Sequence, residues 1–258
     1  MDNKHLLYLI LAGALMIAGC LNSAPRDNIS VNRPVYVVGI DAEYPPYSYM
    51  QPDGNATGID VESVRWIADT QGFDVIIRPI AWDGIIPALQ AGTIDMIYSG
   101  MTITEDRRRK VEFTIPYWNV NQAVAVNNIS SWTMEDFHSG KLRIGAQRGT
   151  TGAIWVEKNL VSTGKMPASS LVQYDLLPLA ADDLANRRID AMISSTQSLI
   201  EAIGTRPCRY IGEIETHEYY GVAVRKNDTE LLTTMNEGLS QFLQSPEWMR
   251  LKEKYRMI

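Results

Sequence analysis

Along the chain, short apolar runs of strand length alternate with segments whose apolar positions recur at helical spacing, the grammar of an α/β fold. Val35–Ile40 reads as a strand, Val61–Gly72 as an amphipathic helix and Val75–Ile80 as a second strand. A short helix over Ile85–Ala91, a strand over Ile94–Tyr98 and a charged helix start at Glu105–Val111 follow. The same grammar returns with strand Leu142–Ala146, helix Thr151–Val161, strand Leu171–Tyr174, helix Ala180–Arg187 and strand Ile189–Ser194. Val222–Arg225 is a last strand, and helices over Glu230–Leu243 and Pro246–Tyr255 close the chain. Leu89–Ile97 also lines up with Leu184–Met192, an internal echo that suggests two α/β lobes. In open sheets ligands sit outside the carboxyl ends of the strands, so two facing lobes would make a cleft there.

The amino terminus follows another pattern. Leu6–Ile17 is an unbroken apolar run of 12 residues, short of the ~20 that span a bilayer, and reads as the core of a signal peptide. Ile17-Ala18-Gly19-Cys20 resembles a bacterial lipobox, which implies cleavage before Cys20 and a lipid on its sulfur. Residues 1–19 are then the signal peptide, and 20–34 a lipidated cysteine and its tether. An ordinary signal peptide or an uncleaved anchor is the alternative. With Cys20 lipidated, Cys208 has no intramolecular partner and is expected as a plain buried thiol.

Composition narrows the classes. The 258 residues carry 24 Lys+Arg and 30 Asp+Glu, a net charge of −6, with 45% hydrophobic and 21% charged residues. That balance excludes wholesale disorder and a multi-span membrane protein. No basic stripe is available for nucleic acid. Two cysteines make neither a disulfide scaffold nor a thiolate metal site. His5, His138 and His217 are scattered, and no nucleophile elbow, P-loop, dinucleotide fingerprint or metal spacing occurs, so neither catalysis nor a cofactor nor a metal is expected.

Four polar clusters could bind a small molecule. Asp41-Ala-Glu-Tyr44-Pro-Pro-Tyr47-Ser-Tyr49 leaves the first strand, its prolines stiffening a loop that carries a carboxylate and aromatic rings. Trp82-Asp83-Gly84 joins a strand to a helix, where an indole serves either the core or an aromatic wall. Ser99-Gly100-Met101-Thr102-Ile103-Thr104-Glu105-Asp106-Arg107 ends a strand in small and hydroxyl residues before Thr104 caps a helix. Arg107 can aim a planar fork at a carboxylate, whereas Arg108 and Arg109 read as a solvated face. Gln147-Arg148-Gly149-Thr150-Thr151 opens a helix, whose exposed N–H groups suit an anion or simply a threonine cap.

Taken together, these motifs strongly resemble the extracytoplasmic solute-binding proteins of polar amino-acid ABC importers. Further carriers are Gly58-Ile-Asp60-Val, Ile94-Asp95, Phe113-Thr-Ile-Pro-Tyr117 and Val222-Ala-Val-Arg-Lys226, so the likeness runs from Val35 to Tyr255. The resemblance implies an α/β, two-lobed periplasmic-binding-protein type II fold with two crossing hinge strands. Lobe 1 would be 35–118 plus 221–258 and lobe 2 122–216, with hinges near 119–121 and 217–220. It makes Tyr44 and Trp82 aromatic walls, Asp41 the contact to the far end of the ligand and Arg107 the carboxylate clamp, helped by N–H groups of Thr102 and Thr150 or Thr151. Ser99, Gly100 and Thr102 look like partners of the α-ammonium, and Met101 and Gln147 complete the expected site.

One position departs from the family pattern: Ser195 stands where an ammonium-binding aspartate is usual, with Asp41 or Glu43 as candidate replacements. The expected protein is a monomeric, lipid-anchored receptor outside the cytoplasm, in a periplasm or on a cell surface. It would carry a polar or cationic amino acid to a membrane permease, without chemistry of its own. A receptor for a carboxylate lacking the ammonium group is the alternative that Ser195 motivates. A cyclohexadienyl dehydratase-like enzyme on this fold is another, though no acid/base group for it stands out.

Overall fold

The computed structural model describes residues 33–257, so the signal peptide, Cys20 and most of the tether lie outside the described residues. In chain order the strands are β1 (Val35–Ile40), β2 (Glu43–Tyr44), β3 (Ser48–Met50), β4 (Ala56–Thr57), β5 (Asp74–Pro79) and β6 (Met96–Ile97). They continue as β7 (Glu112–Phe113), β8 (Trp118–Asn127), β9 (Ile144–Gln147), β10 (Leu171–Tyr174), β11 (Ala191–Ser195), β12 (Cys208–Tyr220) and β13 (Ala223–Val224). Two five-stranded sheets result, ordered β5-β1-β6-β13-β7 and β10-β9-β11-β8-β12, beside a small sheet β2-β3-β4. In the first, β1 is parallel to β5 and β6 while β13 is antiparallel to β6 and β7. In the second, β9 is parallel to β10 and β11 while β8 is antiparallel to β11 and β12.

Helices cover these sheets because their apolar faces have nowhere else to go. Ile59–Gln71 buries Ile59, Val64, Ile67 and Ala68, and ends where Gly72 turns left-handed and donates its N–H to the Ala68 carbonyl. Its buried face shares one core with Leu231, Met235 and Leu239 of the helix Thr229–Phe242. Arg33, placed in the tether by sequence, donates to the carbonyls of Ala68 and Phe73 (2.8 and 2.6 Å), so the chain is already tied to the body at that residue.

Several boundaries move for identifiable reasons. The strand expected over Ile94–Tyr98 contracts to β6, since the Asp95 side chain instead accepts from the Val37 N–H and pairs with Arg225. The helix from Thr151 winds as α only to Val156 and continues as a π-turn over Glu157–Val161. The long antiparallel pair β8 and β12 goes beyond what apolar periodicity announces. Cys208 is buried, as expected, and has no disulfide partner among the described residues, which do not include Cys20.

The chain passes from the first sheet to the second after β7 and returns after β12. At that junction the Tyr117 N–H donates to the Tyr220 carbonyl (2.9 Å) and the Ile103 N–H to the Tyr219 carbonyl (2.8 Å). The segment 99–107 is thereby laced to the end of β12. The crossings inferred near 119–121 and 217–220 fall inside the β8–β12 ladder. Among the described residues, no helix is long and apolar enough to cross a membrane.

Candidate functional site

Arg107 is built into place by its own helix. The Thr104 hydroxyl accepts the Arg107 N–H (3.2 Å) and caps the short helix Glu105–Arg108. The guanidinium turns back from this cap: Nη1 donates to the Thr102 carbonyl (2.9 Å) and Nη2 to the Gly149 carbonyl (3.1 Å). It also lies over the Trp82 ring, 5.3 Å from the centroid. Arg107 is 7% exposed and has no carboxylate partner in a salt bridge among the described residues. Burial draws its pKa down to about 10, opposed by the nearby Glu218 carboxylate, so it stays cationic at neutral pH. Arg109 instead pairs with Asp106 at the surface.

Asp41 follows the last residue of β1 and is 2% exposed. Its Oδ2 accepts from Gln147 Nε2 (2.7 Å) and its Oδ1 from the Glu43 N–H (3.0 Å), and burial raises its pKa against these bonds. Glu43 itself is exposed and does not line the cavity, although its charge helps to raise the Asp41 pKa. Arg107 and Asp41 are therefore two buried, opposite charges bonded to separate neighbours and not to each other. Tyr44 stacks on Tyr47 at 5.4 Å, and its hydroxyl bonds to Ser195 Oγ (2.7 Å) and to the Tyr220 hydroxyl (3.0 Å).

Behind this wall Asp60 is fully buried. Its Oδ2 accepts the Gly100 N–H (2.6 Å) and the Tyr117 hydroxyl (2.8 Å), while Oδ1 has no partner. Desolvation pushes its pKa up to about 7 despite both bonds. Gly100 has φ +57°, and a Cβ there would meet Tyr44 Cε1 at 2.8 Å, so only glycine lets this backbone approach the ring.

A small, largely enclosed cavity lies among these groups. Asp41, Tyr44, Trp82 and Gly100 line it from one side of the chain's crossing. Thr102 and Arg107 join them, and Gln147, Thr150, Thr151 and Ser195 face them from the second sheet. Ser99 and Met101 do not line it. Ser99 Oγ accepts the Asp41 N–H (2.9 Å) and bonds to Ser48 Oγ (2.7 Å), while Met101 packs in the core with Trp82, Ile85 and Leu89.

Four groups escaped the sequence reading. Gln122, Ser194 and Tyr220 line the cavity, and Glu218 stands directly behind Thr102 and Thr151. The available signal was a lone amide, Gln122, at the head of the apolar run Ala123–Val126.

Comparison with known proteins places this geometry. The family model of bacterial extracellular solute-binding proteins, family 3, matches residues 36–257. A "Probable histidine-binding protein" of Neisseria gonorrhoeae is 28% identical over 258 residues, covering 98% of this chain and 95% of that protein. An L-arginine-binding protein of Pseudomonas aeruginosa is 28% identical over 251 residues, covering 94% and 95% respectively. The solved structure of an ancestral arginine-binding protein bound to arginine is 31% identical with a TM-score of 0.79, covering 86% of this chain and 98% of that one.

Proposed function

Because the chain belongs to the family 3 bacterial extracellular solute-binding proteins and has their two-lobed type II fold, we propose that it receives a cationic α-amino acid between its lobes. One observation carries this reading: a buried cation, Arg107, and a buried carboxylate, Asp41, line one small cavity without neutralising each other. Leaving a buried charge uncompensated is costly. A ligand with a carboxylate at one end and a cation at the other relieves both sites at once, whereas a neutral side chain leaves Asp41 unpaired. Tyr44 and Trp82 supply flat faces for the intervening carbons and for a planar cationic head. Arg107 keeps free donors after its two carbonyl bonds, and Thr151, first residue of its helix, adds an N–H with no intrahelical acceptor.

In this reading no bond is made or broken: ligand shifts an equilibrium toward the closed arrangement, which a membrane permease of an ABC importer recognises. The signal peptide and the lipid on Cys20 place the receptor outside the cytoplasm, tethered to a membrane. The second reading, a carboxylate without the amine, rests on Ser195, whose hydroxyl bonds to Tyr44 where the family pattern has an anion.

A thermal-shift screen of the purified protein against the twenty amino acids and common carboxylates tests the proposal. L-arginine, L-lysine or L-histidine at about 100 times its dissociation constant should stabilise by about 2.7 kcal/mol, with L-glutamate and L-aspartate inert. Stabilisation by acidic ligands and not by cationic ones would refute it.

A further inference from the structure

The cavity wall next to Arg107 is organised by a residue that does not itself line the cavity. Glu218 Oε2 accepts three hydrogen bonds from three different elements. Thr102 Oγ1 donates from the segment laced to β12 (3.0 Å), Thr151 Oγ1 from the helix that follows β9 (2.6 Å), and Gln122 Nε2 from β8 (3.2 Å). The backbone of β12 is bent to allow this. Ile214 pairs with Gln122 and Glu218 with Val120, so residues 215–217 stand opposite Asn121 alone. Within this bulge His217 takes φ +49°, and its N–H donates to Asn121 Oδ1 (3.1 Å). The bulge brings Glu218, rather than Thr216, opposite Val120 on the face that Gln122 shares.

Proton accounting gives this arrangement a meaning. A carboxylate only accepts, so the hydroxyl protons of Thr102 and Thr151 and the Gln122 amide all point at Glu218. The Gln122 amide is committed further, since Nε2 also reaches Thr151 Oγ1 (3.2 Å). Thr102 Oγ1 is left with lone pairs only, and it lines the cavity. That wall can accept an N–H and has a negative charge one bond behind it. It repels a carbonyl or a second carboxylate. The same residue donates nothing to Arg107 but receives it: the Thr102 carbonyl takes Arg107 Nη1 (2.9 Å) while its hydroxyl is held by Glu218 (3.0 Å). A cation and an anion are thus poised one residue apart, matching an ammonium and a carboxylate on a single carbon.

We infer that Glu218 is the positioning residue that makes the site select an α-ammonium, supplying from the hinge strand the negative charge that Ser195 lacks. This rests on the proposed amino-acid reading and sharpens it, because it favours an α-amino acid over the same carboxylate without its amine.

The test is titration calorimetry of the purified protein with L-arginine and with 5-guanidinopentanoate, which is arginine without the α-amine. The wild-type protein should prefer L-arginine by 100-fold or more. Glu218→Gln, nearly isosteric, should cut that preference at least 10-fold by weakening L-arginine alone, the des-amino compound staying within twofold. Adding Ser195→Asp to Glu218→Gln should restore the preference, which a purely architectural role for Glu218 would not do. Equal weakening of both ligands, or no change in either, overturns the inference and leaves the proposed function standing. Equal wild-type affinity for the two compounds overturns it as well, and binding of neither, with L-lysine and L-histidine also failing to bind, overturns the proposed function itself.

Discussion

Arg107→Ala will lower the affinity for L-arginine at least about 100-fold, roughly 3 kcal/mol, with the fold intact. Truncating one member of a desolvated charge pair costs about 2–5 kcal/mol, much of it from stranding the other charge. Here the stranded group is the ligand carboxylate, enclosed in a cavity whose other acidic neighbours, Asp41 and Glu218, repel it. The platform over Trp82 disappears with the guanidinium. The protein itself loses two carbonyl bonds, to Thr102 and Gly149, and the contact over Trp82, but it also sheds a desolvated cation, so the melting temperature without ligand should change little. Arg107→Lys should recover part of the affinity, since a point charge replaces the lost cation without its planar fork. Calorimetry on the two variants checks this, and unchanged affinity in the alanine variant would remove Arg107 from the site.

Asp60→Asn has the next largest expected consequence, and it is read in stability. Asp60 is fully buried with an unpartnered Oδ1, and its pKa is pushed up to about 7 by desolvation. An unfolded aspartate titrates near 3.9. Between roughly pH 4 and pH 7 the folded protein therefore holds a proton that the unfolded chain has released, and stability falls as pH rises through that window. The loss approaches about 4 kcal/mol once both states are ionised, at ~1.4 kcal/mol per unit. Glu62 and Glu247, whose pKa values are lowered by lysine and arginine partners, work in the opposite direction. Comparing variant with wild type at each pH cancels them. Chemical denaturation should show the stability of Asp60→Asn relative to wild type rising by about that amount from pH 4 to pH 7.5. A difference that does not vary with pH would mean that Asp60 is ionised throughout.

The sequence was most informative where one local signal decides. Val35–Ile40 and Leu171–Tyr174 are strands with the expected bounds, being apolar runs cut by turn residues. Helix ends fell within a few residues because glycine, proline and hydroxyl caps mark them. The sheet β2-β3-β4 was illegible, since strands of two or three residues carry no period. β12 reads as a charged strip because it is an edge strand, alternating Glu213 and Glu215 with Ile214.

The site divides in the same way. Arg107 and Asp41 announce themselves by standing at a capped helix and a strand exit. Ser99 and Met101 were grouped with Gly100 and Thr102 as one motif, but neighbours in an irregular segment face opposite sides, and only the latter two reach the cavity. Alternation along β12 puts Glu218 on the inward face with Ile214 and Thr216, but only the shifted register against β8 sets it opposite Val120, within reach of Gln122, Thr102 and Thr151. Long-range register, not composition, selects that residue.

Calorimetric titration of the purified protein with L-arginine and with agmatine, which keeps the guanidinium and the amine but lacks the carboxylate, probes the clamp most directly. Tight binding of L-arginine with agmatine weaker by at least about 100-fold is the expected result, since agmatine brings no anion to the buried Arg107 cation. Comparable affinity for the two compounds would contradict a site organised around a carboxylate.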